Sequence, residues 1–473
     1  MTHAAAGVTI RPVTSLRIPA LLALSLATMQ AVLPPLPETP LIPRGPVPVK
    51  IEQTSKGWRM LRDGRPYFVK GACVWGENVR LTDLKAAGGN SVRTYHSKYA
   101  RWTLDAAQRQ GMTVMLGYQI SGEYHGFSYH DPGDVSKQRM RFREFIKTHK
   151  DHPSLLVWAI GNEVEQNIDD PEYFEAMWRE LNALARMAKE IDPNHPTALV
   201  LADAKSEKLE AVKKWCPDVD LICFNSYGAL RNIPEFLDKN HWQKPYLVTE
   251  FGARGWWEAA LTAWGAPIEM TSTQKAKEYL YSYQRGIQHD TRRCLGSYVF
   301  FWESKQEATS TWFGMFLNSG ERLEMIDAMT QAWGGKRPRN RSPQIKTLEF
   351  VDKKDRYLPG QTVRVKLAAT DPDKQPLGVS WKIFEESPPF TPGNAYQEMP
   401  RALLEHSITP LAHGAEFPAP EVPGPFRIFV FIYDGKGNAA TGNLCFYVEA
   451  AAPVPAPAPP EPSPEPTPPV GVQ

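Results

Sequence analysis

Two glutamates in this sequence lie where carboxyl groups could carry out chemistry, because each comes after a run of apolar and β-branched residues. Glu163 follows the predicted strand 155–160, and Glu250 ends the predicted strand 246–250. Two such carboxyl groups can act as a pair, one protonated to assist a leaving group and the other ionised to attack. For the isolated motif Gly-Asn-Glu around position 163, a helix-capping pair after an ordinary core strand is the alternative. The rest of the chain must decide between these interpretations.

Strands and helices alternate along residues 50–335, and this order predicts how the two glutamates are positioned. Continuous apolar runs such as 155–160 are typical of parallel strands covered on both faces. Eight strand candidates predict an α/β fold, a (β/α)8 TIM barrel, whose active sites lie at the carboxyl ends of the strands. A doubly wound sheet is the alternative, but no glycine-rich phosphate loop follows the first strand. The predicted strands are 67–75, 91–95, 113–118, 155–160, 197–201, 221–225, 246–250 and 296–302, and helices are predicted over 102–110, 137–149, 172–190, 205–215 and 273–288.

Five of the predicted strands end in polar or aromatic side chains, which a barrel would gather at one mouth. Arg93, near the end of the second strand, and Tyr227, after the sixth, could both donate to Glu250 and stabilise its ionised form. Glu163 must instead stay protonated, and a less polar setting beside Trp158 or Trp302 would achieve this. The candidate catalytic residues are Glu163 and Glu250, and the first candidates for substrate binding are Arg93, His96, Asn162, Tyr227 and Trp302.

Further aromatic residues after the third, seventh and eighth strands are additional candidates. Tyr118, followed closely by Tyr124 and His125, could contact a substrate or could simply pack its loop. Trp256 and Trp257, and later Trp312, could present flat indole faces to a ligand, although core packing explains such residues equally well. The histidines show no metal-ligand pattern such as HExxH, so no metal site is expected. No cofactor is expected either, because two carboxyl groups can supply both the proton transfer and the nucleophile.

Three segments of the chain, HPSLLVWAIGNE, SVRTYH and PYLVTEFG, resemble the barrel domain of the glycoside hydrolases of clan A, most closely family 2. The resemblance covers residues 60–335. It implies a retaining mechanism in which Glu163 is the acid/base and Glu250 is the nucleophile.

The same resemblance implies roles for the neighbours of the two glutamates. Asn162 would bind the sugar 2-hydroxyl, Arg93 and Tyr227 would adjoin the nucleophile, and Trp302 would form the aromatic floor at the cleaved bond. Family 2 enzymes usually carry a jelly-roll and a sandwich domain before the barrel, and this sequence shows neither. The family's substrate preferences therefore do not transfer, and the layout is closer to endo-acting and transglycosylating relatives.

A second domain is predicted beyond a basic connector, residues 336–345. Short segments alternate apolar and polar residues as half-buried strands do, and Asp-Gly and Gly-Asn turns separate them. The pattern predicts an immunoglobulin-like β-sandwich over 346–449. Asp371, Asp373 and Asp434 could hold calcium, but turn chemistry explains these aspartates without a metal. The predicted sandwich strands include 361–368, 378–384 and 425–432.

The two ends of the chain have a different composition from the middle. An apolar run after two arginines predicts an export signal over residues 1–27, with an uncleaved membrane anchor as the alternative. A proline-rich linker is predicted over 28–49 and a disordered proline-rich tail over 450–473. We therefore expect a periplasmic or secreted protein, with no stable membrane insertion after signal cleavage.

The composition also narrows the class of partner. The chain of 473 residues holds 54 Lys and Arg against 52 Asp and Glu, so its net charge is too small to attract a nucleic acid. Its five cysteines lack CxxC or Cys/His ligand spacing, so neither a zinc site nor a disulfide scaffold is indicated. The expected partner is a neutral β-linked polysaccharide or oligosaccharide, and the oligomeric state is not fixed by the sequence.

Together these observations predict an exported retaining β-glycoside hydrolase that acts on a neutral polysaccharide or oligosaccharide, with a β-glucan as the expected substrate. One alternative is a β-glucan transglycosylase that uses the same two glutamates. Another is a non-catalytic carbohydrate-binding envelope protein in which the sandwich is the functional domain. The pair Glu163 and Glu250 argues against the last alternative, because a binding protein needs no such pair.

Overall fold

The computed structural model of the chain describes residues 45–76, 80–121, 126–166, 168–334, 338–387, 397–403 and 408–450. The predicted export signal, residues 28–44 of the predicted linker and the predicted tail beyond residue 450 lie outside the described residues. Tyr124 and His125 lie outside them as well.

The described part of the chain begins with a small antiparallel sheet of strands β1 (Val49–Thr54), β2 (Gly57–Arg62) and β3 (Arg65–Pro66). The predicted Asp-Gly turn joins β2 and β3, with both of its residues at positive φ, as the tight turns of hairpins require. Hydrogen bonds tie this sheet to Pro153, Asn194 and Arg292, each of which precedes a barrel strand. The sheet therefore lies at the amino-terminal end of the barrel, opposite the predicted site.

Eight parallel strands close into a barrel in chain order, which confirms the predicted (β/α)8 fold. Almost every strand residue is buried, because the inner face packs inside the barrel and the outer face packs against helices. Four of the predicted strands coincide with β6 to β9 residue for residue. The barrel strands are β4 (Val69–Cys73), β5 (Ser91–Arg93), β6 (Thr113–Tyr118), β7 (Leu155–Ile160), β8 (Thr197–Leu201), β9 (Leu221–Asn225), β10 (Tyr246–Phe251) and β11 (Cys294–Val299).

Helices connect the barrel strands and cover their outer face. Asp131 and Asp170 cap two of these helices, and a proline at the first helical position fixes the entry angle in both. The last connecting helix continues into a π-helical turn, Gln284–Gln288. The helices are α1 (Leu81–Ala86), α2 (Ala100–Gln110), α3 (Pro132–His149), α4 (Pro171–Ile191), α5 (Ser206–Trp215), α6 (Ile233–Lys239), α7 (Ser272–Tyr283) and α8 (Glu324–Gly334), with short 3-10 turns at Leu230–Asn232 and Trp256–Glu258.

The C-terminal domain consists of two sheets, as predicted for a sandwich, and their strands pair antiparallel except that the short strands β12 and β14 pair in parallel with β21. One sheet has the order β12, β21, β20, β16, β17 with β14 beside β21, and the other has the order β13, β15, β19, β18. The short strand β12 precedes α8, so the barrel region contributes a strand to the sandwich, which the sequence did not predict. These strands are β12 (Arg322–Leu323), β13 (Gln344–Phe350), β14 (Arg356–Tyr357), β15 (Thr362–Thr370), β16 (Gly378–Glu385), β17 (Ala402–Leu403), β18 (Thr409–Leu411), β19 (Gly414–Pro418), β20 (Gly424–Tyr433) and β21 (Asn438–Val448).

The aspartates of the sandwich work in turns and ion pairs. Asp371 and Asp434 each accept two backbone N–H groups of their own turn, and Asp373 pairs with Arg341. Turn contacts therefore account for Asp371 and Asp434, and an ion pair accounts for Asp373.

All five cysteine thiols are free, four of them buried and Cys445 half-buried. Cys73 and Cys223 are fully buried core residues of β4 and β9, as predicted. Within the described residues, no helix combines the length and the apolar character needed to cross a bilayer.

Candidate active site

Glu250 lies on β10, one residue before the strand ends, and two donors hold its carboxylate. Arg93 Nη1 donates to Oε1 at 2.9 Å, and the Tyr227 hydroxyl donates to Oε2 at 2.8 Å. Arg93 is almost fully buried and also donates to the Thr249 carbonyl, which fixes its guanidinium group. Because both donors favour the charged form of the carboxylate, this arrangement suits an ionised group that attacks as a nucleophile.

Glu163 lies in the turn after β7, where the backbone adopts an unusual conformation. Gly161 has a φ of 74° and Glu163 has a φ of 53°, so both occupy the left-handed region. Residues with a side chain rarely adopt this conformation, and such strain concentrates at functional sites. The Glu163 N–H donates to the Val200 carbonyl of β8 at 2.9 Å, which anchors the turn to the neighbouring strand.

The Glu163 carboxyl group accepts hydrogen bonds only from uncharged amides among the described residues. Asn225 Nδ2 donates to Oε1 at 2.6 Å, and Gln166 Nε2 donates to Oε2 at 2.7 Å. Burial raises the pKa of Glu163 to about 8, and the charge of Glu250 adds to the increase. A carboxyl group with this pKa holds its proton at neutral pH and can donate it to a leaving group.

Two asparagines connect the surroundings of the two glutamates. The Thr249 hydroxyl donates to Asn225 Oδ1 at 2.9 Å, which leaves the Asn225 amide nitrogen to donate to Glu163 and, at 3.2 Å, to Asn162 Oδ1. Asn162 Oδ1 also accepts from Arg93. Because this oxygen is used twice, the amide nitrogen of Asn162 is the atom left to donate to a ligand. That is compatible with the 2-hydroxyl contact implied by the resemblance.

Both glutamates line a cavity of about 1360 Å³ at the carboxyl ends of the strands. This volume exceeds that of a typical pocket for one small ligand. Aromatic side chains form much of its wall, and ring faces of this kind can pack against the apolar face of a sugar. The aromatic residues of the wall are Trp75, Tyr95, Phe174, Tyr227, Trp256, Trp257, Phe300 and Phe301.

The structure corrects the expectation for Trp302 as an aromatic floor. Its indole is fully buried, packs against Phe316 and Trp333, and donates to the Arg80 carbonyl at 3.1 Å. Trp302 therefore belongs to the core between barrel and helices. Phe300 and Phe301, two positions and one position earlier, line the cavity instead.

The tryptophans proposed to keep Glu163 protonated are also placed elsewhere. Trp158 donates to Asp192 at 2.8 Å and, like Trp302, packs in the outer core, the layer between the barrel strands and the surrounding helices. Burial of the carboxyl group and the charge of Glu250 account for the raised pKa of Glu163 without an indole contact.

Three further candidates lie off the cavity wall. Tyr118 packs against Phe142 and Phe145 in the outer core, so the loop-packing alternative holds for this residue. His96 makes an edge contact with Trp75, with ring centroids 4.5 Å apart, and does not itself line the cavity. Trp312 is 2% exposed and donates to the Arg254 carbonyl, so it is a core residue.

Sequence reasoning assigned no role to several residues of the site. Asn225 orients both Asn162 and Glu163, and its position at the end of β9 was the signal that could have identified it. Glu303 and Glu307 line the cavity from an irregular segment, for which no periodic pattern exists.

We expect Glu163→Gln to stabilise the fold at pH 8 by up to about 4 kcal/mol and to change stability little at pH 4. The folded state keeps a proton on Glu163 up to a pKa of about 8, whereas an unfolded chain loses it near 4.5. Ionisation in the unfolded state therefore favours unfolding between these values, and glutamine removes this penalty. Urea unfolding at both pH values measures the effect, with the exposed Glu210→Gln as the control. Equal changes at both pH values would contradict the assigned protonation state.

We expect Trp257→Ala to weaken turnover of long substrates by about 0.5–1.5 kcal/mol and to leave the fold intact. Trp257 lines the cavity, is 53% exposed and meets Tyr227 edge-on, with ring centroids 5.4 Å apart. Trp312→Ala is the matched control, because loss of a core indole should cost about 3–5 kcal/mol of stability. Kinetics on short and long substrates, together with thermal unfolding, test both variants. A large loss of stability in Trp257→Ala would assign this residue to packing.

Comparison with known proteins supports the resemblance of the barrel. Residues 71–301 match the family described as "Glycosyl hydrolases family 2, TIM barrel domain". Human beta-glucuronidase is 26% identical over 228 residues, which cover 44% of this chain and 32% of that protein. Beta-glucuronidase of Streptococcus agalactiae serotype V is 28% identical over 201 residues, which cover 37% of this chain and 32% of that protein. The chain thus spans about a third of the length of these curated relatives.

Among solved structures, Bacteroides uniformis beta-glucuronidase 2 covalently bound to cyclophellitol-6-carboxylate aziridine matches with a TM-score of 0.48 at 15% identity. The match covers 85% of this chain and 48% of that chain. The beta-D-glucuronidase structure for Dictyoglomus thermophilum matches with a TM-score of 0.47 at 18% identity and covers 61% of this chain and 54% of that one.

A closed parallel barrel with two carboxyl groups at the carboxyl ends of its strands is an architecture found in glycoside hydrolase domains. The family match makes the comparison specific, because residues 71–301 match the TIM barrel domain of glycoside hydrolase family 2 and span the closed barrel from within β4 to the end of β11. This confirms the resemblance that the three sequence segments indicated.

Proposed function

We propose that the protein is a retaining β-glycoside hydrolase in which Glu250 is the nucleophile and Glu163 is the acid/base. The observation that carries the proposal is the contrast between the two carboxyl groups in one cavity. Glu250 accepts from a guanidinium group and a phenol, whereas Glu163 accepts from two side-chain amides and has a pKa of about 8. Environments that push two carboxyl groups toward opposite protonation states define an acid and a base.

The mechanism that follows has two displacements. Glu250 attacks the anomeric carbon while Glu163 gives its proton to the glycosidic oxygen, so that the aglycone leaves as an alcohol. Glu163, now ionised, takes a proton from a water molecule, whose oxygen displaces Glu250 and releases the sugar. Asn162 can donate its amide to the substrate throughout, because Arg93 and Asn225 hold its oxygen.

Retention of configuration is the direct test of this mechanism. Two carboxyl groups that act this way lie about 5 Å apart, whereas inverting enzymes separate them by roughly 6.5–9.5 Å. Proton NMR of the first product should therefore show the β-anomer before mutarotation. Initial release of the α-anomer would mean inversion and would remove Glu250 as nucleophile.

We propose a neutral glycoside, with a β-glucan as the first candidate, as the substrate. Nine carboxyl groups but only three lysines line the cavity among the described residues. Lys208 pairs with Glu165 and Asp203, and Lys205 also pairs with Asp203. Lys305 pairs with Glu307, and Arg93 is committed to Glu250 and Asn162. A uronate would need an available cation, and the described wall offers none that is not already engaged.

A β-glucuronide is the second candidate substrate, because relatives of the barrel are named beta-glucuronidases. A panel of aryl β-glucoside, β-mannoside and β-glucuronide, followed by β-glucans and mannans with product analysis, separates the two candidates. We expect kcat/KM for a neutral glycoside to exceed that for the glucuronide. The reverse order would contradict the proposal of a neutral substrate but would still agree with the proposed hydrolase activity.

The same panel separates hydrolysis from glycosyl transfer and from binding without catalysis. Products longer than the starting oligosaccharide would identify a transglycosylase that uses the same two glutamates. Binding of a polysaccharide without turnover of any substrate would indicate a carbohydrate-binding protein. We also propose export to the periplasm or medium, which cell fractionation with and without residues 1–27 would test.

A further inference from the structure

One wall of the cavity comes from the irregular segment after the last barrel strand, residues 303–313, here called the wall segment. It supplies Glu303, Lys305 and Glu307 to the cavity. Glu307 Oε1 accepts from Trp256 Nε1 at 3.2 Å, and the Glu307 carboxylate also pairs with Lys305 at 3.3 Å. The wall segment therefore positions an aromatic residue of the cavity in addition to its own side chains.

The wall segment has little regular structure of its own. One isolated antiparallel bridge joins Glu307 and Thr309, and Ala308 between them has a φ of 58°. A residue with a Cβ atom is unfavourable in this left-handed conformation. Contacts from other parts of the molecule must therefore hold the segment in place.

A buried carboxylate, Glu269, provides the first of these contacts. It accepts from the hydroxyl of Thr309 at 2.6 Å, from the hydroxyl of Thr311 at 2.8 Å, and from Lys275 Nζ at 2.5 Å. Lys275 also donates to the carbonyl groups of Thr311 and Trp312. Glu269 and Lys275 thus fix the second half of the wall segment through side chains and backbone together.

The C-terminal sandwich completes this arrangement from the other side. Asn443 on β21 donates to Glu269 Oε2 at 2.6 Å, and Arg427 on β20 donates to Asn443 Oδ1 at 2.8 Å. The contact from Arg427 leaves the Asn443 amide nitrogen facing Glu269. Gln397 Oε1, also in the C-terminal domain, accepts the backbone N–H of Ala308 at 2.7 Å. The residue in the unfavourable conformation is thus bonded directly by the C-terminal domain.

We propose that the C-terminal sandwich is a positioning domain for the active site, which holds the wall segment in its binding conformation through Gln397 and Asn443. Both act as positioning residues, because each reaches the cavity only through another residue. The role goes beyond the hydrolysis proposed above, which serves here as one of two readouts. The catalytic pair lies on β10 and after β7, outside the wall segment, so substrate binding should respond more than the chemical step.

The test compares substitutions at Gln397 in the full chain. Gln397→Leu keeps the size of the side chain and removes the acceptor, whereas Gln397→Glu keeps an acceptor for the Ala308 N–H. Arg364→Leu alters an exposed ion pair of the sandwich, away from the wall segment, and is the control. Hydrogen–deuterium exchange of the peptide covering 303–313 reports on the segment without any need for activity. Steady-state kinetics on an oligosaccharide report on KM and kcat.

For Gln397→Leu we expect faster exchange in the wall segment and a KM raised about three- to tenfold, the effect of one lost hydrogen bond. kcat should change less, and Gln397→Glu should restore both readouts toward those of the parent. Unchanged exchange in Gln397→Leu would overturn the proposal, as would faster exchange with an unchanged KM. If the parent protein showed no turnover, the proposed hydrolysis would be contradicted. The positioning role would then be tested by two other measurements, hydrogen–deuterium exchange of the wall segment and the binding affinity for the oligosaccharide, with the same criteria.

Asn443→Leu provides an independent variant at the other contact. Faster exchange confined to the second half of the wall segment is expected if Asn443 acts through Glu269. A lowered unfolding temperature with the exchange of this segment unchanged in the folded state would assign Asn443 to stability alone.

Discussion

Glu250→Gln is expected to abolish turnover of every glycoside, including aryl glycosides with good leaving groups. Glutamine keeps the shape of the side chain but cannot form the glycosyl ester, so the first displacement has no nucleophile. A loss of about 10⁴-fold or more in kcat is the size expected for removal of a group that makes the covalent bond. Steady-state kinetics on an aryl glycoside and on an oligosaccharide measure it.

Two controls make the Glu250 result specific. Arg93 and Tyr227 should still place the glutamine side chain, but the buried Arg93 guanidinium group loses its counter-charge, so the variant should fold with a lowered unfolding temperature. A fluoro-sugar that traps the glycosyl-enzyme should label Glu250 in the parent and leave Glu250→Gln unlabelled. Mass-spectrometric detection of the label on Glu163 would reverse the roles of the two glutamates.

Glu163→Ala is expected to separate substrates by their leaving groups. Turnover of an unactivated oligosaccharide, whose leaving oxygen needs a proton, should fall by about 10²–10⁴-fold. An activated aryl glycoside should still form the covalent intermediate, because its leaving group departs as a stable anion. The intermediate should then accumulate, since no base remains to activate water. Burst kinetics and intact-mass analysis detect this accumulation.

A small anion provides the decisive outcome for Glu163. Azide in the space left by the carboxyl group should attack the intermediate without a base and release a β-glycosyl azide. The same rescue in Glu250→Gln should yield no β-product. An azide product from the Glu250 variant alone would contradict the assignment.

The sequence predicted the barrel and the placement of Glu163 and Glu250 at the carboxyl ends of its strands, because both depend on local patterns. Strands β6 to β9 are apolar runs with clear breaks at their ends, so their bounds were predicted to the residue. Glu163 and Glu250 could be singled out because parallel strands of a barrel bring their carboxyl ends to one mouth.

Such local patterns could not predict which aromatic residues line the cavity. Strand β11 ends at Val299, and three aromatic residues follow it in a row. The alternation of strand faces no longer applies there, so the sequence could not tell that Phe300 and Phe301 face the cavity whereas Trp302 faces the outer core.

The support for the wall segment was beyond sequence reasoning for a different reason. Gln397 meets Ala308 across 89 positions, and Asn443 meets Glu269 across 174. Contacts between residues so far apart in the sequence produce no periodic pattern. A single polar residue in a β-domain cannot be distinguished by sequence from an ordinary surface residue.

The five unpaired thiols have a consequence for where this chain can fold. No disulfide joins any of the five cysteines, all of which lie among the described residues. The stability of the native state should therefore be the same with and without a reducing agent such as dithiothreitol. Folding requires neither an oxidant nor a disulfide isomerase, and a chain without residues 1–27 should reach the same fold in a reducing host compartment as in an oxidising one.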